Sequence, residues 1–299
     1  MSEPKGRGAA WTEERGTSDE GRRRLEAPRR RASGVTVISG TGTGVGKTVV
    51  TAALAALAAD RGERVAVVKP AQTGLGGPDA LGDPDAGDPP EESDLDTVRR
   101  LSGVSDGHEL ARFPDPLSPE AAARAAGRPP LDMAAAARYI AELAATRDTV
   151  LVEGAGGLLV RYDAAGATIA DLASMLDAPV LVVALAGLGT LNHTALTLEA
   201  LAARGLESAG VVIGSWPAEP DLAARSNLVD LADVLAGRLP ENSGRLGRGD
   251  FLAVARSAFA TPAFRAAPTG PASRATSAGG APAGGAPAGS GWLSRKFGT

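Results

Sequence analysis

From Val35 to Asp60 the chain reads VTVISGTGTGVGKTVVTAALAALAAD. An apolar strand, a glycine-rich loop and an alanine-rich helix, in that order, are the setting a phosphate-binding P-loop requires. Gly40, Gly42, Gly44 and Gly46 carry no Cβ, so the backbone can turn tightly and aim N–H groups at an anion. The helix opens at Lys47-Thr48, and its N-terminal dipole favours phosphate. Lys47 offers a point charge to β- and γ-phosphates, and Thr48 offers a hydroxyl to Mg²⁺. A turn that is merely glycine-rich has no need of GKT flanked by Val35, Val37 and Ile38 on one side and Leu54 and Leu57 on the other.

The loop departs from the common pattern. Four residues usually separate its first glycine from the glycine of GK[ST]; here Gly40 and Gly46 enclose five. Partition-type ATPases carry a second lysine near the loop's start, where this chain has Thr41 and Gly42.

Not all of the 299 residues read as foldable. Residues 1–32 form a polar arm dominated by Arg22-Arg23-Arg24 and Arg29-Arg30-Arg31. Residues 264–299 are rich in Ala, Gly and Pro and include GGAPAGGAPAG. Neither segment can bury enough apolar surface to offset ordering entropy, so both are expected to be disordered. That leaves 33–263 as one domain. Glu13, Glu14, Asp19, Glu20 and Glu26 within the arm count against nucleic-acid binding and against a transit peptide. The whole chain has a net charge of −4. No apolar run of spanning length and no secretory leader are visible, so a cytoplasmic protein without membrane or nucleic-acid partners is expected. With no cysteine, disulfides, zinc–thiolate centres and cysteine nucleophiles are excluded. His108 and His193 are the only histidines, too few for a histidine-rich metal site.

Short continuous apolar runs follow the first at 65–68, 149–152, 179–185 and 210–213. Helical patterns lie between them at about 94–101, 119 onward, 132–145, 169–176 and 191–203, and after them at 221–235 and 251–259. Ser93 and Ser118 are placed as N-caps. Alternation of this kind predicts a P-loop NTPase-like α/β fold, a mostly parallel sheet with helices on both faces. Ligands of such sheets sit beyond the carboxyl ends of the strands. The strands here end in GTGTGVGKT, KPAQTG, EGAGG and GSWP.

Lys69 follows VAVV directly and should project over the sheet edge near the P-loop, where it could offset phosphate charge. Thr73 reads equally as a substrate contact or a turn threonine. Glu153 ends VLVE, where a Mg²⁺-orienting carboxylate stands in P-loop enzymes, and the glycines after it admit a ligand. Asp94 is a second carboxylate for Mg²⁺, with Glu92 and Asp96 close by in an acidic stretch. Thr48, Asp94 and Glu153 suffice for Mg²⁺, which takes few protein ligands. Gly187 to Thr194 opens a helix whose first N–H groups could hold a carboxylate or could simply be a capped start. His193 reads as a structural hydrogen-bonder.

Taken together, GTGTGVGKT, KPAQTG, SDLDTVRRL, LSPEAAARAAGR, VLVEGAGGLLV, LGTLNHTALTLEAL and GVVIGSWP are similar to the dethiobiotin synthetase family in order and spacing, over 35–259. The resemblance implies an ATP-dependent carboxylation and ring closure of 7,8-diaminononanoate with CO₂ or bicarbonate, in biotin biosynthesis. It assigns Lys69 and Lys47 as catalytic and Thr48, Asp94 and Glu153 to Mg²⁺. Nucleotide contacts fall on Gly44, Val45, Gly46, Lys47, Thr48, Val49, Asp94, Glu153, Gly154, Ala155 and Gly156. Base contacts fall on Gly214, Ser215, Pro240, Glu241 and Asn242. Thr73, Gly189, Thr190, Leu191 and Asn192 would bind substrate, the last four from the other subunit of a homodimer. Two departures stand out. Some members have a glutamate where this chain has Gly44. Others read the base with an Asn-Asp pair where it has Gly214-Ser215, which leaves nucleotide preference open.

Two rivals are weighed. Corrinoid a,c-diamide synthases need a glutaminase cysteine, and this chain has none. A partition or positioning ATPase would fit the basic arm, but the loop lacks the early lysine and no C-terminal amphipathic helix is present.

Overall fold

The computed structural model describes residues 34–75 and 92–259. The expectations for the arm, the tail and the loop 76–91 therefore lie outside the described residues. The first half holds β1 (Val35–Gly40), α1 (Lys47–Asp60), β2 (Val65–Lys69), β3 (Gln72–Thr73), α2 (Asp94–Ser102), β4 (Gly107–Glu109) and β5 (Arg112–Phe113). Next come α3 (Pro119–Ala125), α4 (Met133–Ala144), β6 (Thr149–Glu153), α5 (Ile169–Leu176), β7 (Val180–Ala184) and α6 (Thr190–Ala203). The chain continues with β8 (Ser208–Trp216), α7 (Leu222–Asp230), β9 (Leu235–Pro240), a 3₁₀ turn over Ser243–Arg245, and α8 (Arg248–Ala258).

Seven strands pair in the order β4-β2-β6-β1-β7-β8-β9, every pair parallel. Strands β3 and β5 form a separate parallel pair. The central strands are buried on both faces, which is why they read as unbroken apolar runs. Side-chain alternation divides the core. Val37, Val68 and Val152 pack with α4 and α5 on one face. Ile38, Val67 and Leu151 pack with α1, α2 and α8 on the other. This alternation carries forward to the strand ends: Lys69 after Val68, and Glu153 after Val152, must both turn toward α1 and α2.

Helix α1 is buried on nearly all sides, from Val50 to Ala58. A helix that is apolar all round is a core helix, and here α2 and α8 flank it. Small alanines let those neighbours close in. Ser93 caps α2 as expected, accepting a hydrogen bond from the Asp96 N–H. Ser118 occupies the N-cap of α3 but makes no side-chain cap bond; Pro119 starts that helix instead.

The helix expected over 221–235 is corrected. It ends at Asp230, and Leu235–Pro240 is the edge strand β9. LAGRLP has no continuous apolar run, and its Leu and Ala suit helices; pairing with β8 decides the outcome. Gly237 is required there, because a Cβ would stand 2.7 Å from the Ala258 carbonyl oxygen of α8. β8 also runs further than 210–213, so Gly214 and Ser215 lie within a strand.

The P-loop rests directly on β8. A Cβ on Gly46, whose φ is +95°, would lie 2.9 Å from the Gly214 carbonyl oxygen. One on Gly214 would collide with the Val45 carbonyl oxygen. Gly214→Ala is therefore expected to lower Tm and to weaken Mg-ATP binding together, with a stability loss of at least about 1–3 kcal/mol. Gly42→Ala, whose Cβ would meet nothing within 4 Å, should leave Tm near wild type. Thermal denaturation and titration calorimetry on both variants make the check.

Candidate functional site

Parallel register sets the geometry. Val68 pairs with Val152, so the ends of β2 and β6 are level, and Ile38 pairs with Glu153, so β1 runs two residues further into the P-loop. The Lys69 Nζ donates to Glu153 Oε1 at 3.0 Å and to the Gly154 carbonyl at 3.4 Å, and forms an ion pair with Asp94. Thr48 Oγ1, in the first turn of α1, lies 2.8 Å from Asp94 Oδ1 and 2.9 Å from Glu153 Oε1. Its single proton serves one carboxylate at a time. Lys47 Nζ donates to the Gly42 carbonyl at 2.9 Å, folding back over the loop. Lys47, Lys69, Thr48, Asp94 and Glu153, picked out one by one in the sequence, thus meet in one cluster.

The cluster holds two cations and two carboxylates, and Lys69 and Glu153 are only 3% and 1% exposed. Burial is the largest influence on Lys69 and acts to lower its pKa. Glu153, Asp94 and the hydrogen bond to Asp94 together outweigh it and hold the ammonium well above the ordinary lysine value. For Lys47, burial and the like charge of Lys69 prevail over Glu153 and Asp94, so its pKa is lowered. Burial opposes ionisation of Asp94, but the Lys69 charge and hydrogen bonds from Lys69 and Thr48 win, and its carboxyl sits below the usual range.

Thr48, Asp94 and Glu153 present hard oxygen donors within hydrogen-bond distance of one another. No group of three or more His, Cys, Asp or Glu side chains is placed to hold a metal among the described residues. A hydroxyl and two carboxylates without a full protein cage fit Mg²⁺, which retains waters and phosphate oxygens.

The glycine loop after Glu153 runs beside the P-loop. A Cβ on Gly156 would lie 3.6 Å from Thr43 Oγ1, and one on Gly157 would lie 3.5 Å from the Gly40 carbonyl. Its Ala155 N–H is turned inward and donates to the hydroxyl of fully buried Tyr162 at 2.6 Å, so that amide is not offered to a nucleotide. Burial raises the Tyr162 phenol pKa. The two segments expected to contact the base are neighbours: Trp216 pairs with Pro240, and the Glu241 N–H donates to the Trp216 carbonyl at 2.7 Å. Ser215, Glu241 and Asn242 are exposed.

Other predicted residues stand apart from the cluster. Thr73 lies on β3; its neighbour Gln72 makes the link, accepting from the Asp94 N–H at 3.3 Å. Gly189, with φ +93°, is the N-cap of α6, and Thr190, Leu191 and Asn192 form its first turn. The Thr190 and His193 N–H groups bond to Gly187 and Gly189 at 3.3 and 3.2 Å. Leu191 and Asn192 remain at the helix mouth, where amides lack intrahelical acceptors. Thr190 Oγ1 is buried without a hydrogen-bond partner.

Sequence reasoning missed Tyr162 and Asn227. Asn227 of α7 is buried and donates to the Ala186 and Gly187 carbonyls, each at 2.9 Å, setting the segment before α6. No local pattern marks either residue, since their partners are brought by the fold.

A family described as an AAA domain matches residues 35–244. The chain is 62% identical over 227 residues to an ATP-dependent dethiobiotin synthetase BioD of Frankia casuarinae, covering 75% of this chain and 90% of that protein. It is 62% identical over 229 residues to a protein of the same name from a Parafrankia species, covering 75% and 91%. The likeness to that of Streptomyces coelicolor is 54% over 232 residues, covering 76% and 92%.

Removing Lys69 should leave Glu153 buried and unpaired. Lys69→Met is expected to cost about 3–5 kcal/mol in urea unfolding. The pH dependence has a definite sign. The folded Asp94 pKa is below its usual 3.8, so its stabilisation is present above that value and lost as pH falls through the lowered one. The Lys69 contribution is full below its usual 10.5 and is lost only above it. The stability difference between wild type and Asp94→Asn should therefore hold through neutral pH and shrink in acid.

Proposed function

This chain belongs to the ATP-dependent dethiobiotin synthetase family, and we propose that its Lys69 cluster drives closure of a cyclic urea. The substrates are 7,8-diaminononanoate, CO₂ and ATP. One amine adds to CO₂ and loses a proton, giving a carbamate. A carbamate oxygen attacks the γ-phosphorus, ADP leaves, and a carbamic–phosphoric anhydride forms. The second amine attacks the carbamate carbon and expels phosphate, which yields dethiobiotin.

Lys69 carries this reading. A buried ammonium that stays protonated beside the P-loop can stabilise the carbamate anion and the charge moving onto the γ-phosphate oxygens. Lys47, at the loop's closing turn, holds the β- and γ-phosphates. Thr48, Asp94 and Glu153 would hold Mg²⁺, which when bound supplies Lewis-acid charge neutralisation on phosphate oxygens. Positioning supplies much of the rest, because carbamate and phosphate must meet in line. Thr73 is assigned to the substrate side, on the segment that leaves Lys69.

The diamine's carboxylate is assigned to the mouth of α6 in a second copy of the chain. Support comes from exposed apolar side chains before and along α6: Leu185 is 49%, Leu188 94% and Leu196 56% exposed. Side chains of that size, exposed together, mark an interaction surface. No helix among the described residues is long and apolar enough to cross a membrane, and the enzyme is proposed to act in the cytoplasm as a homodimer.

Purified protein given Mg-ATP, bicarbonate and 7,8-diaminononanoate should form dethiobiotin detectable by mass spectrometry. Lys69→Ala should lower kcat by about 10²–10³-fold. Absence of diamine-dependent product from folded, nucleotide-binding protein with every triphosphate tried would sink the synthetase reading. The homodimer makes a second expectation. Mixing inactive Lys69→Ala with an inactive Asn192→Trp variant should restore turnover, because a mixed dimer contains one intact composite site. No recovery from a demonstrated mixed dimer would count against the shared site.

A further inference from the structure

One guanidinium outside the cluster joins the start of α2 to the turn after β9. Arg100 lies on α2, six positions after Asp94. Its Nε and Nη2 hold the Glu92 carboxylate, each at 2.9 Å, and its Nη1 donates to the Gly244 carbonyl at 3.1 Å. Thr97 donates to the same Glu92 carboxylate at 3.1 Å. Gly244 belongs to the 3₁₀ turn that follows Pro240, Glu241 and Asn242. The turn has other ties, among them the Ala218 N–H donating to Glu241 Oε1 at 3.0 Å and the Arg245 N–H donating to the Asn242 carbonyl at 2.9 Å. The Glu241 N–H bonds to Trp216, Ser243 Oγ donates to the Pro240 carbonyl at 2.5 Å, and Gly244 packs on Val49 of α1. Asn242 holds a left-handed conformation, φ +62°, which asparagine adopts more readily than most residues.

The opposite wall of the base region offers little to read with. Gly214 has no side chain and no room for one, and Ser215 is exposed. Discrimination between bases then falls on the Pro240–Asn242 turn, and on how firmly it is held against α2.

We propose that Arg100 is a positioning residue for nucleotide recognition, fixing the Pro240–Asn242 turn relative to the helix that carries Asp94. This rests on the synthetase reading for the identity of the nucleotide and for placing its base between 214–215 and 240–242. α2 is a rigid element, so the guanidinium ties the base-reading turn and the Asp94 carboxylate into one frame. Arginine is needed because its planar fork satisfies a carboxylate with one edge and a carbonyl with another. Lysine, a single point donor, can serve only one of them fully.

The test compares wild type with Arg100→Met and Arg100→Lys. Binding of a non-hydrolysable Mg-ATP analogue is read by calorimetry, and steady-state KM for ATP, KM for the diamine and kcat are read by dethiobiotin formation. Because Arg100 is half-exposed, the expected loss is moderate: about three- to tenfold in nucleotide Kd and in KM for ATP for the methionine variant. The diamine KM and kcat should hold, preference for ATP over GTP should narrow, and lysine should recover only part of the loss. Unchanged nucleotide affinity in folded Arg100→Met overturns the proposal. So does a common worsening of both KM values and kcat with a lowered Tm, which marks general loosening. If wild type makes no dethiobiotin the synthetase reading falls, and the calorimetric arm still decides whether Arg100 positions the nucleotide.

Discussion

The buried pair of Lys69 and Glu153 is the constraint from which the rest of the site follows. Ions taken out of water are repaid only where geometry is good and their remaining hydrogen-bonding capacity is used. Both conditions are met by the sheet itself. Parallel register levels the ends of β2 and β6, and alternation points both side chains at the α1–α2 face. Asp94 and Thr48 then come from the first turns of the two helices that cover that face. The charge inside the cluster balances, with two cations against two carboxylates, which makes such deep burial tolerable.

The atoms proposed for catalysis therefore also hold the architecture together. Polar groups that would orient phosphate and carbamate also stabilise the strand ends while hydrogen-bonded to one another. The groups are gathered before substrate arrives, and a bound Mg-nucleotide would exchange their present bonds, Thr48 to Asp94 and Glu153 and Lys47 to the Gly42 carbonyl, for bonds to itself. Around the cluster, loops that leave the sheet are held by side chains at Tyr162, Asn227 and Arg100.

Much of this was legible in the chain. Glycines before Lys47-Thr48, a lysine ending VAVV and a glutamate ending VLVE carry local signatures, because backbone geometry near a strand end dictates residue type. The parallel sheet followed from unbroken apolar runs. β9 was not legible, since LAGRLP becomes a strand only by pairing with β8, and β4 is the short Gly107-His108-Glu109 on the opposite edge, without an apolar residue of any size. The inward turn of the Ala155 amide was hidden for a related reason. Its partner Tyr162 lies seven positions on and comes within reach only when the glycine loop folds back.

The bare backbone contact between Gly46 and Gly214 also limits the history open to this enzyme. A base-reading asparagine at position 214 is not one substitution away, because the P-loop would have to move first, and moving it would forfeit phosphate binding. The two changes are epistatic, each harmful without the other. The exposed turn over 240–242 has no such backbone obstacle at Pro240 and Glu241, while Asn242 sits at a positive φ that suits asparagine or glycine. The phosphate cradle would stay fixed while the base pocket drifts around it.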